Sequence, residues 1–467
     1  MQRWQLTTGL AVGAFLAAVV APSIYQLYPI EPAISPAVLP TPEPVLEPAP
    51  VVEAGTLSLS VALDQDAQLL NSGEDRFIVI EVNAQDAEPA ARTPVHLAVV
   101  MDTSGSMGGR GKITHARMAA AELAAQLGPD DTLSLVTFDD RADVLIRSGS
   151  ADQASRMQRL IQGIKPGGGT NIYDGLTQGQ ALLSDPALSG VKRVVLLSDG
   201  MANLGVVEPH ELARISGSMV SQGVTVSGLG LGLDYNEDLL AAMSDAGGGN
   251  YHFIDKPGQL AQMFQQELSQ MSAIVAREAV VDVTLPAGVT LLDVYGYDAE
   301  IDKDGYRVFL GDLHGGASRK IVARVRIDDS TVKKAPVAGV ELGYVDLEAG
   351  EGRTTQASLV AEITPDAQAA ARSINSRVGV EAATAAAARL LDEGARAWER
   401  GESERGAARL EAGAVMLKQM SARYAAPELE TIAAEFDAQR DDFSSASPSD
   451  GVYQVKKAKE RARVYSR

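Results

Sequence analysis

The sequence contains no cysteine. That excludes disulfides, thiolate metal sites, cysteine nucleophiles and lipid attachment through an N-terminal cysteine. Aromatic residues are scarce, at 5% against 45% apolar residues in total, so any core must be built from aliphatic side chains. Positive charge is in deficit: 41 Lys and Arg against 61 Asp and Glu leave a formal charge of −20. Such a surface repels nucleic acid and anionic lipid, so neither is expected as a general partner. Histidine is sparse as well. His96, His115, His210, His252 and His314 are scattered along the chain with no clustered spacing. What remains is a chain of 467 residues, too long for one ordinary core, for which two or three domains are the natural expectation.

Two features precede any folded unit. Residues from Leu6 to Tyr28 are uncharged and follow Arg3, a stretch about as long as the ~20 residues a helix needs to cross a bilayer. Pro22 after the candidate cleavage point at Ala21 disfavours processing, so residues 1–28 read as an uncleaved signal anchor, with a cleaved signal peptide as the alternative. Positive charge before the span places the bulk of the chain outside the cytoplasm, at a bacterial inner membrane, periplasm or cell surface; secretion after cleavage is the alternative. Residues 29–54 then carry a proline every few positions from Pro29 to Pro50, as in a semi-rigid extended linker.

Beyond the linker, residues 55–94 alternate in the manner of two strands, "TLSLSVAL" and "RFIVIEV". From Val95 to Ala276 near-continuous apolar runs alternate with helical segments, starting with "VHLAVVMD" and "ARMAAAELAAQL". This pattern predicts a doubly wound, mostly parallel α/β sheet. Six strand-like segments follow over 277–363, and with the two early strands they would form a β-sandwich into which the α/β unit is inserted. Residues 364–445 read as helical, with Thr364-Pro365 as the start signal, and residues 446–467 as a basic tail. The tail sets Lys456, Lys457, Lys459, Arg461, Arg463 and Arg467 against Glu460. It suits either a solvated, frayed end or a helix for an acidic partner.

The chemistry concentrates where the first apolar run ends, in "VVMDTSGSM". Ligands of open α/β sheets bind at the carboxyl ends of strands, where strand order reverses. In the loop there, Asp102, Ser104 and Ser106 can converge on one point, with Gly105 allowing the turn between the serines. One carboxylate and two hydroxyls form an oxygen-only set suited to a hard divalent cation such as Mg²⁺. Further oxygens must come from other loops. Thr170 after three glycines and Asp199 at the end of "VVLLSD" are the candidates. Two carboxylates nearly balance the ion, which keeps electrophilic character and an open position for a partner's carboxylate.

Asp102-x-Ser104-x-Ser106, Thr170 in "GGGT" and Asp199 in "SDG" resemble the metal-ion-dependent adhesion site of von Willebrand factor type A domains, in order and approximate separation. "VSGLGLGLDYNEDLLAAMSDAGGGNYHFI" resembles the last third of that domain in bacterial and inter-alpha-trypsin-inhibitor-heavy-chain-like relatives. The resemblance implies direct or water-mediated metal contact for Asp102, Ser104, Ser106 and Thr170, and contact through water for Asp199. It implies Mg²⁺, with Mn²⁺ or Ca²⁺ as alternatives, one antiparallel edge strand for which "ADVLIRS" is suited, and a protein partner that donates an Asp or Glu. The expected function is therefore metal-dependent protein binding in the cell envelope, without catalysis. An accessory scaffold or chaperone of an AAA+ ATPase is the second expectation and a metal-dependent hydrolase the third.

Enzyme signatures are weak. A haloacid-dehalogenase-like phosphatase needs a second aspartate where Ser104 stands, and a phosphate loop needs Ser or Thr where Ile113 follows Lys112. Ser104 lacks the G-x-S-x-G context of a hydrolase nucleophile. "EIDKDGYRVFLG" has Gly311 where a calcium loop needs a bidentate glutamate, so it reads as a hairpin.

Overall fold

The run Val95–Asp102 is buried along its whole length, and its side chains still alternate between two destinations. Val95, Leu97, Val99 and Met101 enter one apolar core, and Ala98 and Val100 enter another. A strand covered on both faces has no solvent side, which is why it reads as continuously apolar. The computed structural model describes residues 51–86, 93–185, 187–445 and 448–466. The expected membrane span and residues 29–50 of the proline-rich segment lie outside them. Among the described residues no helix is long and apolar enough to cross a membrane.

The first strands are β1 (Val51–Ala54), β2 (Leu57–Leu63), β3 (Ala67–Leu69) and β4 (Asp75–Ala84). Residues 51–54, assigned from sequence to the linker, instead form β1, paired antiparallel with β2. The α/β unit follows as β5 (Val95–Asp102), α1 (Lys112–Ala125), β6 (Thr132–Phe138), β7 (Ala142–Gly149), α2 (Ala154–Gln162), α3 (Ile172–Leu183), β8 (Val191–Ser198), α4 (Pro209–Val220), β9 (Val224–Leu231), α5 (Glu237–Ala246), β10 (Gly248–Ile254) and α6 (Leu260–Ser272). Its sheet has the order β10-β9-β8-β5-β6-β7. All pairings are parallel except β6 with β7 at the edge. The chain runs outward from β5 to β7, then returns to place β8 on the other side of β5. The carboxyl ends of β5 and β8 are thus the switch point.

Strands β11 (Ile274–Thr284), β12 (Val289–Tyr295), β13 (Ala299–Ile301), β14 (Gly305–His314), β15 (Ser318–Ile327), β16 (Lys333–Asp346) and β17 (Glu351–Thr364) complete two further sheets. Their orders are β1-β2-β4-β15-β12 and β13-β14-β11-β16-β17-β3. Both contribute to a single aliphatic core, with Leu59, Ile78 and Ile321 from one and Val281, Leu342 and Ile363 from the other. The α/β unit is therefore inserted between β4 and β11 of a sandwich. Lys303-Asp304 forms the hairpin turn before β14, with Asp302 Oδ1 accepting from the backbone N–H groups of Asp304 at 2.8 Å and Gly305 at 2.9 Å.

Five helices close the chain: α7 (Ala367–Arg372), α8 (Ser376–Glu399), α9 (Ser403–Tyr424), α10 (Glu428–Ser445) and α11 (Pro448–Ser466). The cap of α7 is Asp366, which accepts from Gln368 N at 2.8 Å and Ala369 N at 3.2 Å, rather than the expected Thr364, the last residue of β17. Alanine decides the position of α8. Ala382, Ala385 and Ala386 lie on the outer face of a sandwich sheet against Phe77 and Val322. Ala383, Ala387 and Ala388 face the other helices. A helix buried on two sides needs small residues on both.

The basic end is neither frayed nor free. Helix α11 packs on α5, where Lys456 donates to the carbonyl of Tyr235 at 3.0 Å and to the Glu237 carboxylate. Lys459 donates to Glu237 Oε1 at 2.9 Å, Glu399 Oε2 at 2.8 Å and Asp238 Oδ2 at 3.3 Å, and Arg463 to Asp245 at 2.5 and 3.0 Å. Burial raises the cost of an ionised Glu237, but the charges of Lys459 and Lys456 and their hydrogen bonds hold its carboxyl below the ordinary value. The acidic partner expected for this helix is thus the chain's own "NEDLLAAMSDA". Its cap is Asn236, which accepts from Leu239 N at 3.0 Å and leaves Glu237 and Asp238 for α11.

Candidate functional site

Three loops meet at the switch point. The first, after β5, is tied to the second, before α3, by Gly105 N to Gly168 O at 3.1 Å and Gly167 N to Thr103 O at 2.7 Å. The second is tied to the third, after β8, by Thr170 N to Asn203 Oδ1 at 2.8 Å and Asn203 N to Thr170 O at 3.1 Å. Backbone pairing between loops removes their freedom before any ligand arrives.

Asp102 ends β5 and is fully buried. Its Oδ1 accepts from Ser104 N at 2.8 Å and its Oδ2 from Ser198 Oγ at 2.7 Å. Burial pushes its carboxyl up to about 6, aided by the nearby charge of Asp199 and opposed by the hydrogen bonds from Ser104 and Ser198. Ser104 Oγ lies 2.9 Å from Ser106 Oγ, and Ser106 Oγ donates to Asp199 Oδ1 at 2.7 Å. Thr170 is buried and enters from the second loop. A methyl group at Gly200 would meet Thr170 Oγ1 at 3.5 Å and Ser106 Oγ at 3.6 Å, so both hydroxyls border the backbone beside Asp199. Ser104, Ser106 and Asp199 are therefore joined directly, Asp102 is joined through the Ser104 backbone, and Thr170 stands alongside.

Sequence reasoning passed over two contributors. Ser198 holds Asp102 from the neighbouring strand. Lys112, weighed only as part of a phosphate loop, puts its Nζ 2.6 Å from Asp199 Oδ2 and 3.8 Å from Asp234 Oδ2. A signal for Lys112 was present: it is the first residue of α1, whose first turn holds no acidic residue. A cation there opposes the helix dipole, and such local conflicts mark functional positions.

Comparison with known proteins identifies the domain that carries these loops. Residues 97–201 match the family model for the von Willebrand factor type A domain. The chain contains a von Willebrand factor type A domain. An uncharacterized Synechocystis protein, sll0103, is 26% identical over 308 residues, covering 63% of this chain and 72% of the relative. YfbK of Escherichia coli is 26% identical over 225 residues, 48% of this chain and 39% of that protein. Human inter-alpha-trypsin inhibitor heavy chain H4 is 28% identical over 208 residues, 41% of this chain and 22% of the heavy chain. This chain therefore spans well under half of those two relatives. Among solved structures, a von Willebrand factor type A protein from Catenulispora acidiphila superposes with a TM-score of 0.68 at 19% identity, over 88% of this chain and 97% of that one. The ArnB paralog VWA2 from Sulfolobus acidocaldarius gives 0.60 at 18%, over 88% and 100%. These two likenesses show the fold, and their coverage extends it beyond the α/β unit to most of the chain.

The donor set of the type A domain fits a hard divalent cation. It is oxygen-only, it places two buried carboxylates close enough for one to raise the other's pKa, and a cation offsets that repulsion. Asp102, Ser104, Ser106, Thr170 and Asp199 are the residues that would hold it. When bound, such an ion would supply Lewis acidity toward an anionic ligand. The chain's own residues supply prior orientation, since both oxygens of Asp102 and the Oδ1 of Asp199 are already fixed by hydrogen bonds.

Proposed function

We propose that this protein is a binding protein of the cell envelope that takes a carboxylate of a protein partner onto a Mg²⁺ ion in its type A domain. Asp102, Ser104, Ser106, Thr170 and Asp199 hold the ion, and the loops that carry them present it at the carboxyl end of the sheet, above the central strands β5 and β8. The observation that carries this reading is the continuous run of oxygen atoms from Ser104 Oγ through Ser106 Oγ to Asp199 Oδ1, with Asp102 anchored below it. Type A domains typically serve protein–protein interaction, which supports the same class of function. The envelope placement rests on the uncharged span from Leu6 to Tyr28 and the proline-rich segment after it.

The alternative as a scaffold for an AAA+ ATPase would use the helical region and the basic terminal helix as its contacts; in the latter Lys456, Lys459 and Arg463 are engaged by the chain's own acids, which leaves that reading the helical region. The test of the preferred one is Mn²⁺ titration by calorimetry of the full chain and of Asp102→Asn, which keeps the shape but removes the charge. Wild type should bind one ion, and the variant should lose at least about tenfold in affinity, the factor that ~1.4 kcal/mol makes at room temperature. Equal binding by both proteins would refute the site. A topology reporter fused after Arg467 checks the envelope placement, and a cytoplasmic signal would reject it.

A further inference from the structure

The cation nearest the candidate site belongs to the protein. Lys112 Nζ lies 2.6 Å from Asp199 Oδ2, while Asp199 Oδ1 accepts from Ser106. One carboxylate is thus divided, one oxygen toward the hydroxyls and the other toward the ammonium. The lysine is not a surface residue that has strayed inward. Its side chain is 7% exposed, and a methyl group at Gly232, in the loop after β9, would meet its Cε at 3.5 Å and its Nζ at 3.6 Å. The other acid facing it is Asp234 Oδ2 at 3.8 Å, which is 74% exposed and a weak competitor for the charge. Placing an ammonium at the N-terminal end of α1 works against the helix dipole. Burying it there is stable only because Asp199 is its counter-ion.

We propose that Lys112 is a resident counter-cation of the adhesion site, a positioning residue that sets how tightly the divalent ion is held and how strongly that ion draws an incoming carboxylate. The proposal rests on the metal-binding reading above. Asp102 and Asp199 alone would bring the formal charge of a divalent ion to zero; with Lys112 the sum is one positive charge. The ammonium competes for Asp199 and repels the ion, so it weakens metal binding. The same surplus charge makes the occupied site a better receptor for an anionic partner. It also holds the Asp199 carboxylate aimed when no metal is bound, so the site is formed in advance.

The sign of one measurement separates this from a merely structural role. Mn²⁺ is titrated into the full chain, Lys112→Met, Lys112→Arg and Asp102→Asn, with free Mn²⁺ read by electron paramagnetic resonance. Lys112→Met should bind Mn²⁺ at least about tenfold more tightly than wild type, since one charge interaction at an effective dielectric near 20 is removed, and Lys112→Arg should stay near wild type. Thermal melts supply a second readout: without metal Lys112→Met should melt below wild type, and saturating Mn²⁺ should raise its Tm by more than it raises that of wild type. If the methionine variant does not fold, Lys112→Gln keeps a donor toward Asp199 and should show the same tighter binding. Unchanged or weaker Mn²⁺ binding in the folded variant overturns the proposal while leaving the metal site standing. Binding that appears only once Lys112 is replaced would mean that the ammonium stands in place of the metal, and it overturns both the proposal of a tuned, occupied site and the metal-binding reading of the wild type. Absence of Mn²⁺ binding in every protein overturns both this proposal and the metal-binding reading, and binding insensitive to Asp102→Asn does the same.

Discussion

Replacing Glu237 by alanine removes the buried acceptor that Lys456 and Lys459 of α11 share on the type A domain, while Asp245 still holds Arg463. Glu237 is 7% exposed and is shared by Lys456 and Lys459, themselves 3% and 6% exposed. After the change Lys456 keeps the Tyr235 carbonyl at 3.0 Å and the Tyr235 ring at 3.9 Å, neither of which carries a formal charge. Lys459 keeps Glu399 and Asp238. Truncating one member of a buried ion pair costs about 3–5 kcal/mol, and the surviving partners of Lys459 put this case at the lower end, ~3 kcal/mol. The apolar hold of α11 comes from Val455, Ala458 and Ala462, with Tyr465 beside them and Tyr453 against Phe253; releasing it leaves the strand pairing of the sheets untouched, so the loss should appear as undocking of this helix and not as global unfolding. At ~1.4 kcal/mol per decade, the undocked fraction should rise roughly 100-fold. Hydrogen exchange of amides in residues 448–466, followed by mass spectrometry, reads it directly, with β5 amides as the internal control. Exchange of α11 within about threefold of wild type would show that the ion cluster is not what holds the helix. The pH dependence has a definite sign. The Glu237 carboxyl is held below its ordinary value. Its contribution is complete above the unfolded carboxyl pKa, ~4.3, and is lost as pH falls through the lower folded value, so wild-type α11 should loosen only in acid.

Two further outcomes test the interior of the domain. Glu267, fully buried, accepts from Arg193 at 3.1 Å, Ser227 at 2.8 Å, Asn250 at 2.9 Å and His252 at 3.0 Å. Burial raises its pKa, but the His252 hydrogen bond, the Arg193 charge and the Asn250 hydrogen bond bring it down to about 2. Glu267→Gln should cost about 3 kcal/mol at neutral pH, with the gap to wild type closing as pH falls from ~4.3 towards that folded value of about 2; a gap independent of pH over that interval would contradict the assignment. Gly230→Ala would place a methyl 2.1 Å from the ring of Tyr235, which is only 2% exposed. Overpacking of this kind costs roughly 1–3 kcal/mol, so urea unfolding should move to lower concentration, and an unchanged midpoint would mean that the Tyr235 ring moves freely.

The α/β unit was legible in the chain because its signal is local. Eight buried residues in β5 leave an unbroken apolar run, and helices between such runs force parallel strands. The candidate site was legible for a related reason. Asp102, Ser104 and Ser106 belong to one strand end and the loop after it, Asp199 follows a second strand and Thr170 comes just before a helix, so the residue types and their positions at the ends of elements were visible before any fold. The resemblance to the type A domain linked them across distance. Lys112 was not legible as part of the site, because its pairing with Asp199 spans 87 positions and depends on how α1 leaves the first loop. Its conflict with the helix dipole was the one local trace.

The terminal helix shows the division most plainly. Composition determined that residues 446–467 would be basic, leaving open a frayed end or a helix, that the segment before β10 would be acidic, and that the cores would be aliphatic. Whether the basic face met solvent, another protein or the chain's own acids was decided by tertiary structure alone. A charge pattern specifies what a surface will attract but not which complementary surface lies within reach. The helices from α8 to α10 bring α11 onto α5, and once there the desolvated Lys456 and Lys459 share Glu237 as a counter-charge, with Glu399 as a second one for Lys459. Local sequence sets the type of each element and the chemistry it carries. Only the path of the whole chain brings Lys112 to Asp199 and α11 to α5, because those contacts exist when distant segments share one buried volume and not before.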